Sequence, residues 1–372
     1  ETGEFAELYL ALSYNSSQKM DDAKKALSIL SSVIERGGAT DVRLAKLGTV
    51  YAALGFAEYG ANCFYEGKSN LLKAIEILDK VKITEENHLD VAASKVLSYI
   101  YLAQDSMEQS NAENYLKSSI EICERAIEET ESSTLVYVLV VAKLQLVNAR
   151  AHASVDPMQA VHDIKDVIST LENIINKAGE TSFSNYFLGI SNYSLGVYLL
   201  NARRALLINA KESEIRSAFC KSLELYETEI AQFGRSADRL DCLSATMHQI
   251  AVLDIPDDIN LARKGLVNAI ELSQEAYSLS GFEDAIRLDR LGDCYHVFVG
   301  WDVAEDVESA RESCTKAIEA TEKAIELAGE DALRLYRLGD CHHWFVIWDA
   351  VEDVDAARSS CTKAIEAIEK LI

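Results

Sequence analysis

Histidines recur at nearly regular intervals in the C-terminal part of the chain. His296 and His343 are 47 residues apart, His248 precedes His296 by 48, and Asp293 and Asp340 keep the 47-residue spacing. Histidine binds zinc and titrates near neutral pH, so this row could hold a metal ion or sense pH. Helices that pack side by side have axes about 8–10 Å apart, whereas zinc ligands converge to about 2 Å from one ion. We therefore expect these residues to line a surface without a shared metal site.

Four of the eight cysteines are placed symmetrically about two turns. Cys294 and Cys314 lie ten residues either side of one acidic turn, and Cys341 and Cys361 lie ten residues either side of the next. In an antiparallel helical hairpin, equal distance from the turn puts both cysteines at one height, within disulfide range. Two disulfides would favour an extracellular location and reduced thiols a cytoplasmic one. Free buried thiols, copied with the repeat, are the alternative.

The acidic turns themselves are candidates for calcium binding. Carboxylate oxygens are calcium ligands, although neither turn contains a glycine loop of EF-hand spacing. Negative charge at a helix N-terminus is also stabilising without a metal, so we expect metal-free turns, with calcium as the alternative. The acidic residues concerned are Asp302, Glu305, Asp306, Glu308, Asp349, Glu352, Asp353 and Asp355.

No motif in the sequence predicts an enzyme. A nucleophile elbow, a phosphate-binding glycine loop, a His-Glu-x-x-His and a Cys-x-x-Cys motif are all missing. We therefore expect no catalytic residues and no cofactor. Asp and Glu number 60 against 36 Lys and Arg, a net charge of −24, which argues against nucleic acid because phosphates require clustered basic residues. The longest apolar run, residues 135–142, is too short for membrane insertion, which takes about 20 residues.

An internal repeat supplies the elements that must position these residues. Arg-Leu-Gly-Asp-Cys at 290–294 recurs at 337–341, and Ser-Cys-Thr-Lys-Ala-Ile-Glu at 313–319 recurs at 360–366, both with an offset of 47. Apolar residues within each copy follow the 3.6-residue period of two helices, with the acidic turn between them. Glycines stand where the second helices should end, at positions 37–38, 179, 234, 281 and 329. Each repeat is therefore predicted to be an antiparallel helical hairpin.

These signals together predict an all-α solenoid of about eight antiparallel helical hairpins, in a single repeat domain over residues 1–372. The composition agrees, because two prolines are too few for the turns of a β-rich fold. The predicted hairpins span residues 4–38, 40–84, 87–131, 133–179, 181–234, 236–281, 282–329 and 331–372.

Two segments carry a family signature. Leu47–Tyr51 and Leu291–Tyr295 match the Leu-Gly-x-x-Tyr core of the tetratricopeptide repeat, and Ala310 and Ala317 are similar to the small residues of its second helix. The chain thus resembles a long, 47-residue variant of that repeat, with HEAT or armadillo hairpins as the structural alternative. The resemblance implies a right-handed superhelix whose first helices line a concave groove. The groove residues that it implies are Tyr193, His248, Asp293, His296, Asp340 and His343.

The two ends of the chain resemble consecutive parts of one array. Gly3-Glu4-x-Ala6 overlays Gly329-Glu330-x-Ala332 with an offset of 326, which predicts a whole number of repeats. Neither end has the polar outer face with which solenoids usually terminate. We therefore expect copies to join through an interface formed by Phe5, Leu8, Tyr9, Leu12, Ile365, Ile368, Leu371 and Ile372.

The sequence thus favours a non-catalytic scaffold for protein–protein association that self-assembles head to tail into an extracellular filament. Its main partners would be copies of itself. Two alternatives stay open. One is an adaptor that binds a peptide or a partner helix in the groove, and the other is a fragment of a longer repeat array.

Overall fold

A computed structural model describes residues 19–61, 63–82, 84, 87–104, 109–130, 133–152, 157–179, 181–205, 211–254, 258–281, 284–302, 307–349 and 353–370. Over these residues the chain forms α-helices and turns, with no β-strand, so the predicted all-α class is confirmed. None of the described helices has the length and hydropathy of a membrane span. The fifteen described helices are α1 (Lys19–Gly37), α2 (Asp41–Gly60), α3 (Phe64–Leu78), α4 (His88–Gln104), α5 (Gln109–Thr130), α6 (Ser133–His152), α7 (Pro157–Ala178), α8 (Ser182–Arg204), α9 (Glu212–Phe233), α10 (Ala237–Asp254), α11 (Ile259–Leu279), α12 (Ala285–Asp302), α13 (Val307–Ala328), α14 (Ala332–Asp349) and α15 (Val354–Glu369).

Successive helices form antiparallel pairs. From α2 onward, each pair lies inside one predicted hairpin, from α2 with α3 to α14 with α15. Helix α1 lies in the first predicted hairpin, whose residues 4–18 are outside the described part of the chain. In the pair α12 and α13, Leu288 packs with Ala324, whereas Tyr295 packs with Cys314. As the residue number increases along α12, the number of the residue that it meets on α13 decreases, as antiparallel packing requires.

The chain divides into two compact units, one ending at Leu171 and the other beginning at Glu172. This division lies within α7. The single repeat domain over residues 1–372 stays a prediction. The C-terminal unit contains α8 to α15, and it holds all six of the predicted groove residues.

Glycines in the left-handed conformation end several of the second helices, as the sequence predicts. This conformation strains any residue that has a Cβ atom, by about 1–2 kcal/mol. Asp258 and Asp353 begin the helices α11 and α15, where each carboxylate accepts two backbone N–H bonds of 2.9–3.1 Å. The glycines, with φ between 76° and 88°, are Gly38, Gly179, Gly234, Gly281 and Gly329.

The two helices of a hairpin approach closely where small residues face each other. Ala317 of α13 is fully buried. A Cβ atom added to Gly292 of α12 would lie 3.0 Å from the Thr321 hydroxyl and 3.1 Å from the Arg337 guanidinium. The glycine of the Leu-Gly-x-x-Tyr segment therefore leaves room for a side chain of the second helix and for one of the next hairpin.

We expect Ala317→Phe to destabilise the fold by about 1–3 kcal/mol, because the ring has no space against α12. Glu319→Phe, on the exposed side of the same helix, is the matched control and should change the free energy of unfolding by less than about 0.5 kcal/mol. Urea unfolding followed by circular dichroism measures both. Equal unfolding midpoints for Ala317→Phe and the parent chain would contradict this packing.

Candidate functional site

An arginine near the start of three first helices binds the turn that precedes it. In α14, Arg334 Nη1 donates to the Gly329 carbonyl at 2.7 Å, and in α2, Arg43 Nη1 donates to the Gly38 carbonyl at 2.8 Å. Arg239 of α10 makes a longer bond of the same kind. A cation at the C-terminus of a helix satisfies carbonyl groups that have no partner within the helix. In all three cases the arginine follows its glycine by five residues, a signal in the sequence that helix periodicity does not reveal.

Arginines of the first helices also bind carboxylates on the preceding hairpin. Arg334 Nε lies 2.9 Å from Asp289 Oδ2, and Arg337 Nη1 lies 3.4 Å from Asp289 Oδ1. One hairpin earlier, Arg290 Nε lies 3.8 Å from Asp241 Oδ1. Arg334 and Arg337 are only 9% and 2% exposed. Because a guanidinium buried to this degree needs a charged partner, these carboxylates fix how consecutive first helices lie against each other.

Most of the predicted groove residues lie along this row of charges. On α10, α12 and α14, the charged and imidazole side chains form a row of contacts that we name the polar seam. Tyr193 of α8 reaches the seam through a hydrogen bond with Arg290, and burial raises the pKa of Tyr193. His343 is exposed at one end, near Asp340. The polar seam consists of Asp241, His248, Asp289, Arg290, Asp293, His296, Arg337 and Asp340.

His248 is buried in the polar seam with no hydrogen bond on either ring nitrogen. Its Nδ1 atom lies 3.8 Å from Asp293 Oδ2, and Asp293 Oδ1 lies 3.8 Å from Arg337 Nη2. Burial lowers the pKa of His248 below its usual value of 6.5, with Arg290 and Arg337 acting in the same direction and Asp293 opposing them. His248 is therefore neutral at neutral pH.

His296 and Asp340 form a hydrogen-bonded pair between α12 and α14. The distance from His296 Nε2 to Asp340 Oδ2 is 2.8 Å, and this bond lowers the pKa of Asp340. Within the described ranges, no group of three or more His, Cys, Asp or Glu side chains is arranged to hold a metal ion. What the polar seam provides is ion pairing and hydrogen bonding between hairpins.

In the structure Cys294, Cys314, Cys341 and Cys361 are free thiols, and their pairing in disulfides stays a prediction. Cys294 Sγ lies 3.9 Å from Ser244 Oγ of the preceding hairpin. Cys314 faces the following hairpin instead, with its Sγ atom 3.2 Å from the carbonyl oxygen of Cys341. Cys361 is exposed, whereas Cys341 is buried. Distance from the turn sets height along a helix, but direction depends on rotation of about 100° per residue, and these cysteines point to different neighbours.

Several acidic residues of the turns have structural partners. Arg311 Nη2 lies 2.7 Å from Asp349 Oδ1, and the Asp353 carboxylate caps α15. These contacts are of the kind that helix ends favour without a metal. Glu305, Asp306 and Glu352 lie outside the described residues, so calcium binding at these turns stays a prediction.

The last helix, α15, exposes a face whose equivalent on α13, the second helix of the preceding hairpin, is buried. In α13, Ile318 packs against a buried cluster that includes Tyr295 and Cys341, and Thr321 is fully buried. The residues 47 positions later, Ile365 and Ile368 of α15, are 50% and 48% exposed. We name this surface the end face, which consists of Cys361, Ile365 and Ile368. The other residues of the predicted interface lie outside the described residues, namely Phe5, Leu8, Tyr9, Leu12, Leu371 and Ile372.

A pocket of about 590 Å³ lies where α13 meets α14. Beside it, the Arg311 guanidinium lies 5.5 Å from the centre of the Trp348 ring, over its face, and pairs with Asp349. This neighbourhood therefore already binds one guanidinium through an aromatic face and a carboxylate. The pocket is lined by Glu308, Ser309, Arg311, Glu312, Thr315 and Phe345.

No family model matches the sequence, and no curated protein matches it. Among solved structures, the apo form of RapI matches with a TM-score of 0.57 and 11% identity, over 100% of this chain and 86% of RapI. The quorum sensor NprR from B. thuringiensis has a TM-score of 0.48 and 13% identity, over 99% of this chain and 100% of NprR. The S. pombe nuclear import adaptor Nro1 has a TM-score of 0.48 and 16% identity, over 83% of this chain and 100% of Nro1. At such identities, the likeness to RapI shows the fold alone.

We expect Arg334→Gln to lower the free energy of unfolding by about 1.5–3 kcal/mol, because the Gly329 carbonyl loses its charged donor and the Asp289 carboxylate keeps only its longer contact with Arg337. Arg358→Gln is the control, since the Arg358 side chain is 80% exposed and its pairing with Asp355 is worth little in water. Thermal and urea unfolding measure both variants. Equal losses of stability in the two would show that the Arg334 contacts contribute nothing beyond a surface ion pair.

We expect acidification from pH 7.5 to 5.5 to destabilise the chain through His248. The pKa of His248 is lower in the folded chain than in the unfolded chain, so the unfolded chain alone takes up this proton below about pH 6.5. The stability that neutral His248 contributes is present above that pH and is lost as the pH falls, by at most about 1.4 kcal/mol per pH unit.

The measurement is the melting temperature at both pH values in the parent, in His248→Gln and in His343→Gln. His248→Gln should show a smaller decrease on acidification, while His343→Gln, changed at an exposed histidine, should follow the parent. The groups that face His248 are Asp293, His296, Arg290 and Arg337, and all are kept in both variants. An unchanged pH dependence in His248→Gln would refute this assignment.

Proposed function

We propose that this chain, a tetratricopeptide-like helical-repeat protein, is a non-catalytic scaffold for protein partners and that its copies associate head to tail. The observation that carries the proposal is the end face. Ile365 and Ile368 are about half exposed on α15, whereas on α13 their counterpart Ile318 packs against a buried cluster that includes Cys341 of α14, and Thr321 is fully buried. Exposed apolar surface of this kind marks interaction sites. The surface that covers the same positions inside the array is another helical hairpin.

Head-to-tail association joins two different surfaces of the chain. A contact between unlike surfaces closes into a ring only when the rotation between copies permits it, and it otherwise extends into a helical filament. The polar seam supports a structural role for the first helices, because its charges are paired between hairpins. Asp289, which pairs with the buried Arg334 and Arg337, joins one hairpin to the next.

An adaptor that binds a partner segment is the second candidate, and the pocket between α13 and α14 favours it. Glu308 and Glu312 give the pocket two carboxylates, and Phe345 gives it an aromatic wall. A lysine or arginine side chain of a partner fits this combination of groups. The net charge of −24 also favours a basic partner over an acidic one.

An extracellular filament stays a prediction. Partner binding and end-to-end association are independent of the compartment.

We expect the parent chain to show concentration-dependent association in light scattering coupled to size exclusion. The double variant Ile365→Glu with Ile368→Glu should raise the dissociation constant at least tenfold, because two charges would be desolvated in the contact. Leu261→Glu with Ile286→Glu is the matched control, since these residues are 53% and 73% exposed on internal hairpins. It should associate like the parent.

A parent chain that stays monomeric at millimolar concentration would refute head-to-tail association and leave the adaptor as the better proposal. Association that the control variant weakens as much as the end-face variant would also contradict it. In that case the contact would involve exposed apolar residues in general.

A further inference from the structure

Two buried thiols meet where the second helix of one hairpin packs against the first helix of the next. Cys314 of α13 donates through its Sγ atom to the carbonyl oxygen of Cys341 of α14, at 3.2 Å, and the two thiols are also hydrogen-bonded to each other. Both cysteines are fully buried. The side chain of Cys314 therefore reaches both the backbone and the thiol of Cys341. The two cysteines share an apolar cluster with Leu291, Tyr295, Val299 and Ala317.

The other two cysteines of these repeats have different surroundings. Cys294 occupies in α12 the position that Cys341 occupies in α14, and its thiol lies against the hydroxyl groups of Ser244 and Ser273. Cys361 occupies in α15 the position of Cys314, and it is exposed. Cys314 thus has Cys341 as its thiol neighbour, whereas Cys294 has hydroxyl groups.

We propose that Cys314 and Cys341 form a disulfide that joins the hairpin of α12 and α13 to the hairpin of α14 and α15. This pairing differs from the pairs that symmetry about the acidic turns predicts, because it lies between two hairpins. A disulfide needs Cα atoms less than about 7 Å apart and side chains that point towards each other, and thiols in direct contact meet the second condition. The bond also suits an apolar cluster, since a disulfide has no N–H or O–H group that needs a partner.

The reaction needs an oxidant, for which a low-molecular-weight disulfide such as oxidised glutathione suffices. The thiolate of one cysteine attacks a sulfur of the small disulfide, and the other sulfur of that disulfide leaves as a thiolate. The second protein thiolate then attacks the protein sulfur of the mixed disulfide, which forms the Sγ–Sγ bond and releases the second small thiolate. Two protein thiols lose two electrons and two protons, and the small disulfide becomes two thiols.

Burial decides when this reaction takes place. The attacking species is the thiolate, and the hydrogen bond with Cys314, together with burial, raises the pKa of Cys341. Neither sulfur is accessible to an oxidant while α14 is packed on α13. We therefore expect oxidation to proceed through local opening of the hairpin of α14 and α15, and to be faster in urea below the unfolding midpoint. Once formed, the bond keeps α14 on α13.

Peptide mapping of the full chain tests this pairing. The reduced protein is incubated with oxidised glutathione over a series of urea concentrations up to the unfolding midpoint. Free thiols are then blocked with iodoacetamide, and the chain is digested with trypsin without a reductant. We expect mass spectrometry to show residues 312–316 joined to residues 338–358 as the main product. Trypsin separates the four cysteines, because it cuts after Lys and Arg and leaves them in peptides 291–311, 312–316, 338–358 and 359–363.

The melting temperature gives a second measurement. The disulfide closes the chain between residues 314 and 341 and restricts the unfolded state, so the oxidised parent should melt at least about 5 °C above the reduced parent. Cys341→Ala should lose both the joined peptides and this increase. Cys294→Ala is the matched control, since Cys294 is equally buried at the same position of the preceding hairpin, and it should keep both.

Three outcomes would overturn the inference. Peptide 291–311 joined to 312–316, or 338–358 joined to 359–363, as the main product would instead assign the pairs that turn symmetry predicts. Blocked thiols at both Cys314 and Cys341 throughout the urea series would show that the two sulfurs do not bond. A melting temperature of the oxidised chain at or below that of the reduced chain would show that the bond displaces the two helices. The result does not depend on association between copies.

Discussion

The Arg334 guanidinium binds two groups of the preceding hairpin, a backbone carbonyl and a carboxylate. It donates to the carbonyl oxygen of Gly329 and to both oxygens of Asp289, so a single side chain ties the turn and the first helix of one hairpin to the next. A buried guanidinium without such partners would destabilise the fold. The left-handed Gly329 exposes the carbonyl, and α12 supplies the carboxylate. The spacing of the hairpins in this part of the C-terminal unit depends on both.

Once the hairpins are joined in this way, the polar groups between them are buried whether or not each finds a partner. Arg337 lies beneath Arg334 in the same contact with Asp289, and it extends the row of charges to Asp293 and His248. His248 has an acidic group within 3.8 Å and two arginines in its surroundings, yet no hydrogen bond. The polar seam is therefore a consequence of how the first helices are held.

Much of the fold could be predicted from the sequence, because the 47-residue repeat and the glycines report helix length and helix ends directly. Every described helix lies within its predicted hairpin. Four of the six predicted groove residues belong to the polar seam, Tyr193 is hydrogen-bonded to it, and His343 lies at one end of it. The family resemblance implied that set, but neither the repeat nor the resemblance pointed to the arginines between the hairpins. For Arg43, Arg239 and Arg334 the signal is a position five residues after a glycine, a spacing that does not follow the helical period.

The directions of the cysteine side chains could not be predicted for a different reason. Their symmetry about each turn specifies one coordinate, the height along the hairpin, and leaves the angle around the helix axis free. Cys294 and Cys314 therefore face opposite neighbours, towards Ser244 and towards Cys341. Predicting this angle requires knowing which face each helix turns to the adjacent hairpins. That information lies in contacts such as Arg334 with Asp289, between residues 45 positions apart.

Each arginine contact joins a hairpin only to the hairpin before it. This restriction has a mechanical consequence. A pulling force applied along the C-terminal unit would load the contacts in series, since Arg290 with Asp241 and Arg334 with Asp289 join different pairs of neighbours. Rupture of one contact would release one hairpin and leave the others joined, as expected for arrays with nearest-neighbour coupling. Such a unit would unfold one hairpin at a time under force. It would therefore lengthen without losing its whole structure at once.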